Sequence, residues 1–309
     1  LFFTFTNCDF FFRNLSSTAE TPHIAIGVYC TIFGILAIPL YGLCLSALVQ
    51  RDLRAMVAYK IMIFLSICDI IMLCYNSLIL GFFFIKGVVY CTYPMMIYVI
   101  GCISDACWNG ACIGCFFLVF TRFVDLWSQK LHDFLFGGAR AYVLIFICIC
   151  YGLIFFLFPS PGLFNAKYYG LIFDPMISDG ETVFSTDLSG LTAANNLLTV
   201  SFTFALYIGF FLSFLYKYNL TFGYRLSAHE KQMFIQSNAI SGINLTLALI
   251  YVYMLYFPVP ITMTKSTIFL WHFSTGGAIV VYLGINKTVR GKVLEILSRE
   301  KITKIITVA

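Results

Sequence analysis

Long apolar stretches alternate with short polar segments along this chain. Seven of these stretches reach or approach the roughly 20 residues that an α-helix needs to cross a hydrocarbon core about 30 Å thick. The predicted spans are 24–49, 61–85, 91–120, 141–158, 191–216, 232–257 and 266–285. Because hydrocarbon offers no water to backbone polar groups, a crossing segment must be helical. The pattern therefore predicts an all-α integral membrane protein, built as a seven-transmembrane helix bundle.

The basic residues are distributed unevenly between the polar segments. One alternating set of segments holds four of the 19 Lys and Arg residues, and the other set holds the remaining 15. Lys and Arg collect on the cytoplasmic side of a membrane, so the N-terminus is predicted outside and the C-terminus inside. The predicted organisation is an extracellular arm at 1–23, a seven-span domain at 24–285 and a cytoplasmic tail at 286–309.

The composition excludes several classes of protein. Hydrophobic residues make up 61% of the chain and charged residues 11%, against about 25% charged in a soluble domain. The net charge is only +5 and no long basic run is present, so no nucleic-acid partner is predicted. The tail segment 286–299 places apolar side chains mostly on one face and basic ones on the other. This pattern predicts a short amphipathic helix lying against the inner face of the lipid bilayer.

Asp69 and Asp105 are the only charged residues within the predicted spans. Asp69 lies about 12 Å into the second span, at 1.5 Å of rise per residue. A carboxyl group at that depth is costly, so it is predicted to face the bundle interior as part of an ion site, a switch or a relay. The alternative interpretation is a single hydrogen bond between helices.

Asp105 lies in the middle of the third span, next to Ser104 and one helical turn from Trp108. An acid beside an aromatic ring can bind a cationic small molecule by charge pairing and a cation–π contact. The acidic loop 159–190 is predicted to form a lid or vestibule above these three residues. A purely structural buried carboxyl group is an equally consistent interpretation.

Four further residues are predicted from their place relative to the spans. Arg122 is the first charged residue after the third span, where it either extends to the lipid headgroups or works at the inner end of the bundle. Cys91 and Cys8 lie on the oxidising outer side and form the one candidate disulfide. Asn14 begins the one outer glycosylation sequon.

The residues offer no set for catalysis, and neither an enzyme nor a cofactor or metal is predicted. Nucleophile, zinc and nucleotide motifs are absent, and Cys112 and Cys115 are interpreted as packing thiols inside an apolar span. Lys265 lies at the outer mouth of the seventh span, which excludes a retinal pump. An ion channel or transporter with Asp69 and Asp105 along a polar path is the alternative function. The odd number of crossings argues against it.

The layout of the spans resembles that of rhodopsin-like G-protein-coupled receptors, and the sequence of several segments resembles the nematode serpentine receptors of class T. The matching segments are 59–62 leading to Asp69, 91–94, 164–165, 173–175, Gln236, Asn244, 251–253 and 282–290. The resemblance implies a chemosensory receptor in the plasma membrane of a sensory neuron, with the cilia as its expected place. It would pass a small-molecule signal to a heterotrimeric G protein.

The same resemblance implies roles for three residues. Arg122 corresponds to the arginine that takes part in G-protein coupling, Tyr282 to the switch tyrosine of the seventh helix, and Asp69 to the acid of the sodium and water cluster. The chain also departs from the rhodopsin-like pattern. Thr121 precedes Arg122 where an acid is usual, and the long outer loop has no Cys for the common disulfide.

Overall fold

A computed structural model describes residues 22–157, 161–172, 190–220, 228–257 and 261–308 of the chain. The long helices are α1 (Ile24–Leu48), α2 (Val57–Lys86), α3 (Pro94–Trp127), α4 (Arg140–Leu157), α5 (Gly190–Leu220), α6 (Ala228–Tyr256), α7 (Ile261–Val280) and α8 (Lys287–Val308). Short helices at Arg51–Arg54 and Gln129–Phe136 lie between them. The predicted helical architecture is therefore confirmed within the described residues.

Helices α1 to α7 overlap the seven predicted spans. By length and composition, five described helices can cross a membrane: Ile24–Leu48, Val57–Lys86, Pro94–Trp127, Arg140–Leu157 and Thr262–Ile285. Shorter apolar stretches, Ala194–Phe210 and Asn238–Tyr253, lie within α5 and α6. Helix α3 runs beyond the predicted end at Phe120 because Thr121 and Val124 remain buried against neighbouring helices. The number of crossings and the orientation stay predictions.

Two helices contain a turn of π-helix, at positions that matter for the site. In α2 the π-helical residues are Cys74–Ile79. At the end of α7, the π-helical residues Val281–Ile285 continue the helix directly after Val280. A π-turn inserts one extra residue and rotates the side chains that follow, and it is frequently found at functional positions.

The bundle is organised around α3, which contacts α2, α4, α5 and α6. Glycine permits close approach of the helices. A Cβ atom on Gly152 of α4 would lie 2.7 Å from the carbonyl oxygen of Ala106 in α3, and one on Gly27 of α1 would lie 2.7 Å from that of Gly81 in α2. Close backbone packing at small residues is the usual way in which apolar helices associate without a hydrophobic driving force.

A β-hairpin covers one end of the bundle, which we call the hairpin end. Strands β1 (Leu163–Asn165) and β2 (Gly170–Ile172) pair antiparallel, with Phe164 opposite Leu171. Phe164 is fully buried against Phe83 and Phe84 of α2. The described part of the long loop therefore forms a cap, as predicted for a lid, and the acidic residues 174–187 lie outside the described residues.

Helix α8 marks the opposite end, which we call the tail end. Asn286 caps this helix, because its Oδ1 accepts hydrogen bonds from the backbone of Thr288 and Val289 at 3.1 and 3.0 Å. Val289 and Val293 are buried in the core, whereas Leu294 is 58% exposed. The predicted tail helix is present, but its apolar residues divide between the bundle and the exterior instead of forming one face toward lipid.

Candidate functional site

A cavity of about 20 Å³ lies beneath the hairpin, between α2, α6 and α7. We call it the hairpin-side cavity. Its wall includes Asn76, Leu80, Leu171, Tyr251, Trp271 and His272. Among the described residues, Asn76 Nδ2 and His272 Nε2 are buried and have no hydrogen-bond partner. The two side chains are 2% and 1% exposed, so polar atoms that normally require a partner are left without one at buried positions.

Aromatic contacts connect this cavity to the middle of the bundle. The indole nitrogen of Trp271 donates a hydrogen bond to the hydroxyl group of Tyr251. The ring of Trp271 also meets that of Trp108 edge to face, with 4.9 Å between the ring centroids. Trp108 in turn lines a second cavity closer to the tail end. A displacement of Trp271 would therefore change the wall of the hairpin-side cavity and, through Trp108, the wall of the second cavity.

The structure does not gather the three predicted ligand-binding residues into one cavity. Asp105 faces the backbone of Gly162 below the hairpin, and its Oδ2 has no partner within the described part of the chain. Ser104 is turned toward α2, where its hydroxyl donates to the sulfur of Met72 at 3.2 Å. Trp108 belongs to the second cavity.

The second cavity, which we call the Asp69 cavity, has a volume of about 10 Å³, close to that needed for one water molecule. Asp69, Cys107, Trp108, Asn244, Ser274 and Thr275 contribute to its wall. In contrast to the hairpin-side cavity, its polar groups are paired. Tyr41 Oη donates to Asp69 Oδ2 at 2.6 Å, and Ser274 Oγ donates to Asn244 Oδ1 at 2.6 Å.

Further polar contacts lead from Asp69 toward the tail end. The ring of Tyr41 stands perpendicular to that of Tyr282, and the Tyr282 hydroxyl lies 3.4 Å from Ser66 Oγ. Beyond Tyr282, Asn286 Nδ2 donates to Tyr59 Oη at 3.4 Å. These contacts join α1, α2 and α7 through buried side chains. We call Tyr41, Asp69, Ser66 and Tyr282 the tyrosine network.

Asp69 and Tyr282 were predicted from the sequence, whereas Tyr41 and Ser66 were not. Tyr41 was detectable in principle, since a hydroxyl group within an apolar span requires a partner. Which of the polar groups in neighbouring helices would be that partner depends on how the helices are rotated. The sequence does not report that rotation.

Arg122 lies at the tail end of α3 and pairs within its own helix. Its NH1 is 3.5 Å from Asp125 Oδ2, and its side chain is 18% exposed. Its Nε is buried and has no partner among the residues described here. Thr121, in the position where an acid is usual, donates its hydroxyl to the carbonyl oxygen of Leu118 instead. Asp125 thus supplies the negative charge that Thr121 cannot.

Cys91 is disulfide-bonded and buried beneath the hairpin end. Cys8, its predicted partner, and Asn14, the predicted glycosylation site, lie outside the described residues. The pairing and the modification therefore stay predictions. Among the described residues, no group of three or more His, Cys, Asp or Glu side chains could hold a metal ion.

A cluster at the hairpin end joins the start of α1, the hairpin and α7. The ring of His23 stacks on that of Tyr169 at 4.1 Å between centroids, and Lys265 Nζ lies 4.1 Å from the same Tyr169 ring. Burial lowers the pKa of His23 below its ordinary value, and the nearby charge of Lys265 lowers it further. The pKa shift keeps His23 neutral beside Lys265 at neutral pH.

Comparisons with known proteins agree on one family. The sequence profile of the serpentine type 7TM GPCR chemoreceptor Srt family matches residues 2–306. The protein named serpentine receptor class T-55 of Caenorhabditis elegans is 26% identical over 247 residues, which is 79% of this chain and 66% of that protein. The chain thus spans slightly less than two thirds of its relative. Because the profile covers nearly the whole sequence, the chain belongs to the Srt family of serpentine chemoreceptors.

Proposed function

We propose that this chain senses a small molecule and activates a heterotrimeric G protein. It does so from the plasma membrane of a sensory neuron, with the cilia as the expected location. In this proposal α1 to α7 cross the membrane, the hairpin end is extracellular and the tail end is cytoplasmic. Membership of a chemoreceptor family supports the sensory role. The excess of basic residues in the segments at the tail end supports the orientation.

The tyrosine network is the observation that carries the proposal. It links a buried acid in α2 to the π-turn of α7 that leads into α8. A ligand shifts a protein between two packings only by binding one of them more tightly. Hydrogen bonds that span three helices supply discrete alternatives for such a shift, because each bond is either made or broken.

Arg122 is the proposed contact with the G protein. In the structure its charge is held by Asp125, one turn further along α3. The pair rests on one contact of 3.5 Å, and the buried Nε of Arg122 has no partner among the described residues, so Asp125 satisfies the guanidinium group only in part. Arg122 is therefore available to exchange Asp125 for a partner helix that enters a groove at the tail end. We expect the loop 217–231 and the basic tail to flank this groove; residues 221–227 of the loop lie outside the described residues.

Nucleotide exchange on a G protein tests the proposal. In membranes that contain the receptor and a G protein, we expect Arg122→Ala to reduce receptor-dependent exchange at least tenfold in response to a panel of odorants and small amines. Lys130→Ala removes an exposed cation nearby and serves as the matched control, with exchange unchanged. Surface labelling should show equal amounts of all three proteins.

Two results would contradict the proposal. Unchanged nucleotide exchange in Arg122→Ala would reject the role of that residue. A ligand-gated current in membranes without G protein would favour the channel interpretation, in which Asp69 and Asp105 line a polar path. Epitope tags on the two termini test the orientation independently, and both tags on one side of the cell would overturn it.

A further inference from the structure

The hairpin-side cavity contains buried polar groups that the tyrosine network does not use. Asn76 of α2 and His272 of α7 both contribute to its wall. Each has a polar atom without a hydrogen-bond partner among the described residues. A buried polar group without a partner costs free energy, so the presence of two such groups in one cavity wall indicates that something else supplies their partners.

His272 presents an acceptor to the cavity. Its Nδ1 lies 2.8 Å from the carbonyl oxygen of Ile268. A carbonyl oxygen only accepts, so Nδ1 carries the proton of the neutral ring and Nε2 is left with a lone pair. The rings of Tyr29 and Phe33 pack against His272 and hold it in this orientation. Nε2 of this wall residue is therefore an acceptor that lacks a donor among the described residues.

Asn76 presents the complementary group. Its Nδ2 carries two hydrogens and finds no acceptor within the described part of the chain. None of the described residues in the cavity wall is an Asp or Glu, so nothing in the wall would balance the charge of a cation. The remaining wall is largely apolar, with Leu80, Phe84 and Ile268 among its residues.

We propose that this cavity binds small neutral alcohols. The proposal rests on the proposed receptor function and names the class of its ligand. A hydroxyl group both donates and accepts through one oxygen atom, so it can donate to His272 Nε2 and accept from Asn76 Nδ2. A ketone cannot donate to His272, and a protonated amine cannot accept from Asn76. The free volume of about 20 Å³ has room for the hydroxyl group, and the alkyl part enters between the apolar side chains of the wall only as β2 and Trp271 move apart.

The hairpin forms the closure of this site. Gly170 and Leu171 of β2 lie in the cavity wall. The hairpin is also tied to the segment that follows α2, where the backbone N–H of Ala166 donates to the carbonyl oxygen of Val88 at 3.0 Å. Occupancy by an alkyl chain pushes against both β2 and Trp271. Trp271 is the residue that contacts Trp108 and hence the wall of the Asp69 cavity.

Ligand-observed saturation-transfer NMR on the full chain in lipid nanodiscs tests the proposal without a G protein. The probes are butanol, butanone and butylamine, which share a four-carbon chain and differ in the polar group. Empty nanodiscs correct for partition into lipid. We expect butanol to bind about tenfold more tightly than either of the others, the effect of one hydrogen bond in an enclosed site.

Variants locate the binding. His272→Phe and Asn76→Leu should each weaken butanol binding about tenfold, and Ser266→Ala, on the exposed face of α7, should leave it unchanged. If His272→Phe does not fold, Asn76→Leu and the ranking of the three probes on the unaltered chain still decide the matter. Circular dichroism reports the folding of each variant.

Two results would overturn the proposal. One is tightest binding by butylamine that is lost in Asp105→Asn, which would place the polar contact at Asp105. The other is binding of none of the probes, or of all three equally in every variant, which would leave the cavity to water. Butanol binding without any nucleotide exchange would instead contradict the proposed function alone, and odorant-driven exchange without butanol binding would contradict this inference alone.

Discussion

The two cavities of this bundle differ in whether the buried polar groups around them have hydrogen-bond partners. In the Asp69 cavity, Tyr41 donates to Asp69 and Ser274 donates to Asn244, both at 2.6 Å. In the hairpin-side cavity, Asn76 and His272 retain atoms without a partner among the described residues. A satisfied network stabilises one packing of the helices, whereas unsatisfied groups favour whatever brings the missing partners. We therefore expect the groups around the Asp69 cavity to stabilise this packing of the helices, and those of the hairpin-side cavity to bind a ligand.

The strongest test of this contrast is the removal of the Tyr41 hydroxyl group. Tyr41→Phe leaves the Oδ2 of Asp69 without its short hydrogen bond. We expect the free energy of unfolding to fall by about 1–2 kcal/mol, near the upper end of the range measured for hydrogen bonds between membrane helices. Thermal unfolding in nanodiscs measures the change. An unfolding curve identical to that of the unaltered chain would show that the network does not stabilise this packing.

The opposite result is expected in the hairpin-side cavity. Asn76→Leu removes a buried amide that has no partner for its Nδ2 within the described residues. It should therefore raise the free energy of unfolding, by about 0.5–1 kcal/mol in the absence of ligand. Thermal unfolding measures this change too. Asn244→Leu in α6 is the matched control, because it removes an amide that accepts a hydrogen bond from Ser274. If both changes destabilise the protein equally, the distinction between the cavities is wrong.

A smaller effect on stability is expected at Tyr282. Its hydroxyl group lies 3.4 Å from Ser66 Oγ, a long contact, so Tyr282→Phe should cost only about 0.6 kcal/mol. If Tyr282 acts as a switch, nucleotide exchange should nevertheless fall severalfold. Ser46→Ala on the exposed part of α1 is the control for loss of a hydroxyl group. A loss of exchange that only matches the loss of stability would make Tyr282 purely structural.

The smallest effect concerns the cluster at the hairpin end. The pKa of His23 is lowered, first by burial and then by Lys265. The stacking of neutral His23 on Tyr169 therefore stabilises the fold above about pH 6.5, the ordinary value for histidine. This contribution is lost as the pH falls through the lowered pKa, because protonation places a second cation beside Lys265 on one ring.

NMR signals from labelled Tyr169 provide the measurement for this cluster. They should shift between about pH 7 and about pH 5, the range in which histidine titrates. The shift should be absent in His23→Phe, which retains the ring and removes the charge. A transition that persists in His23→Phe would assign the titration to another group.

Some features of the bundle and its two cavities could be predicted from the sequence, and others could not. The spans were predicted because the backbone of a long apolar segment in hydrocarbon must satisfy its own polar groups, which a helix does. Asp69 was predicted as a buried functional group because charge in a span is costly. His272 was overlooked, since one histidine in an apolar helix is consistent with ordinary packing. Only the arrangement of α2, α7 and the hairpin reveals that this side chain lines a cavity and that its Nε2 has no partner among the described residues.

Ser104 and Asp105 illustrate the same limit within one helix. They are adjacent in the sequence, yet Ser104 turns toward Met72 of α2 and Asp105 toward Gly162 below the hairpin. Successive residues of a helix point about 100° apart, so neighbours in the sequence need not share a site. Trp108 lies on the side of the Asp69 cavity, where Trp271 of α7 meets it.

Hydrophobicity and charge along the chain determined by themselves that this protein is helical, apolar and basic at one end. These properties follow from the solvent that each segment can tolerate, which is a local matter. The tertiary structure alone decided that Tyr41 meets Asp69, that Asp125 pairs with Arg122 and that Asn76 and His272 border one cavity. Such pairings depend on the rotation and depth of each helix, which are set by packing between helices and not by the composition of any one of them.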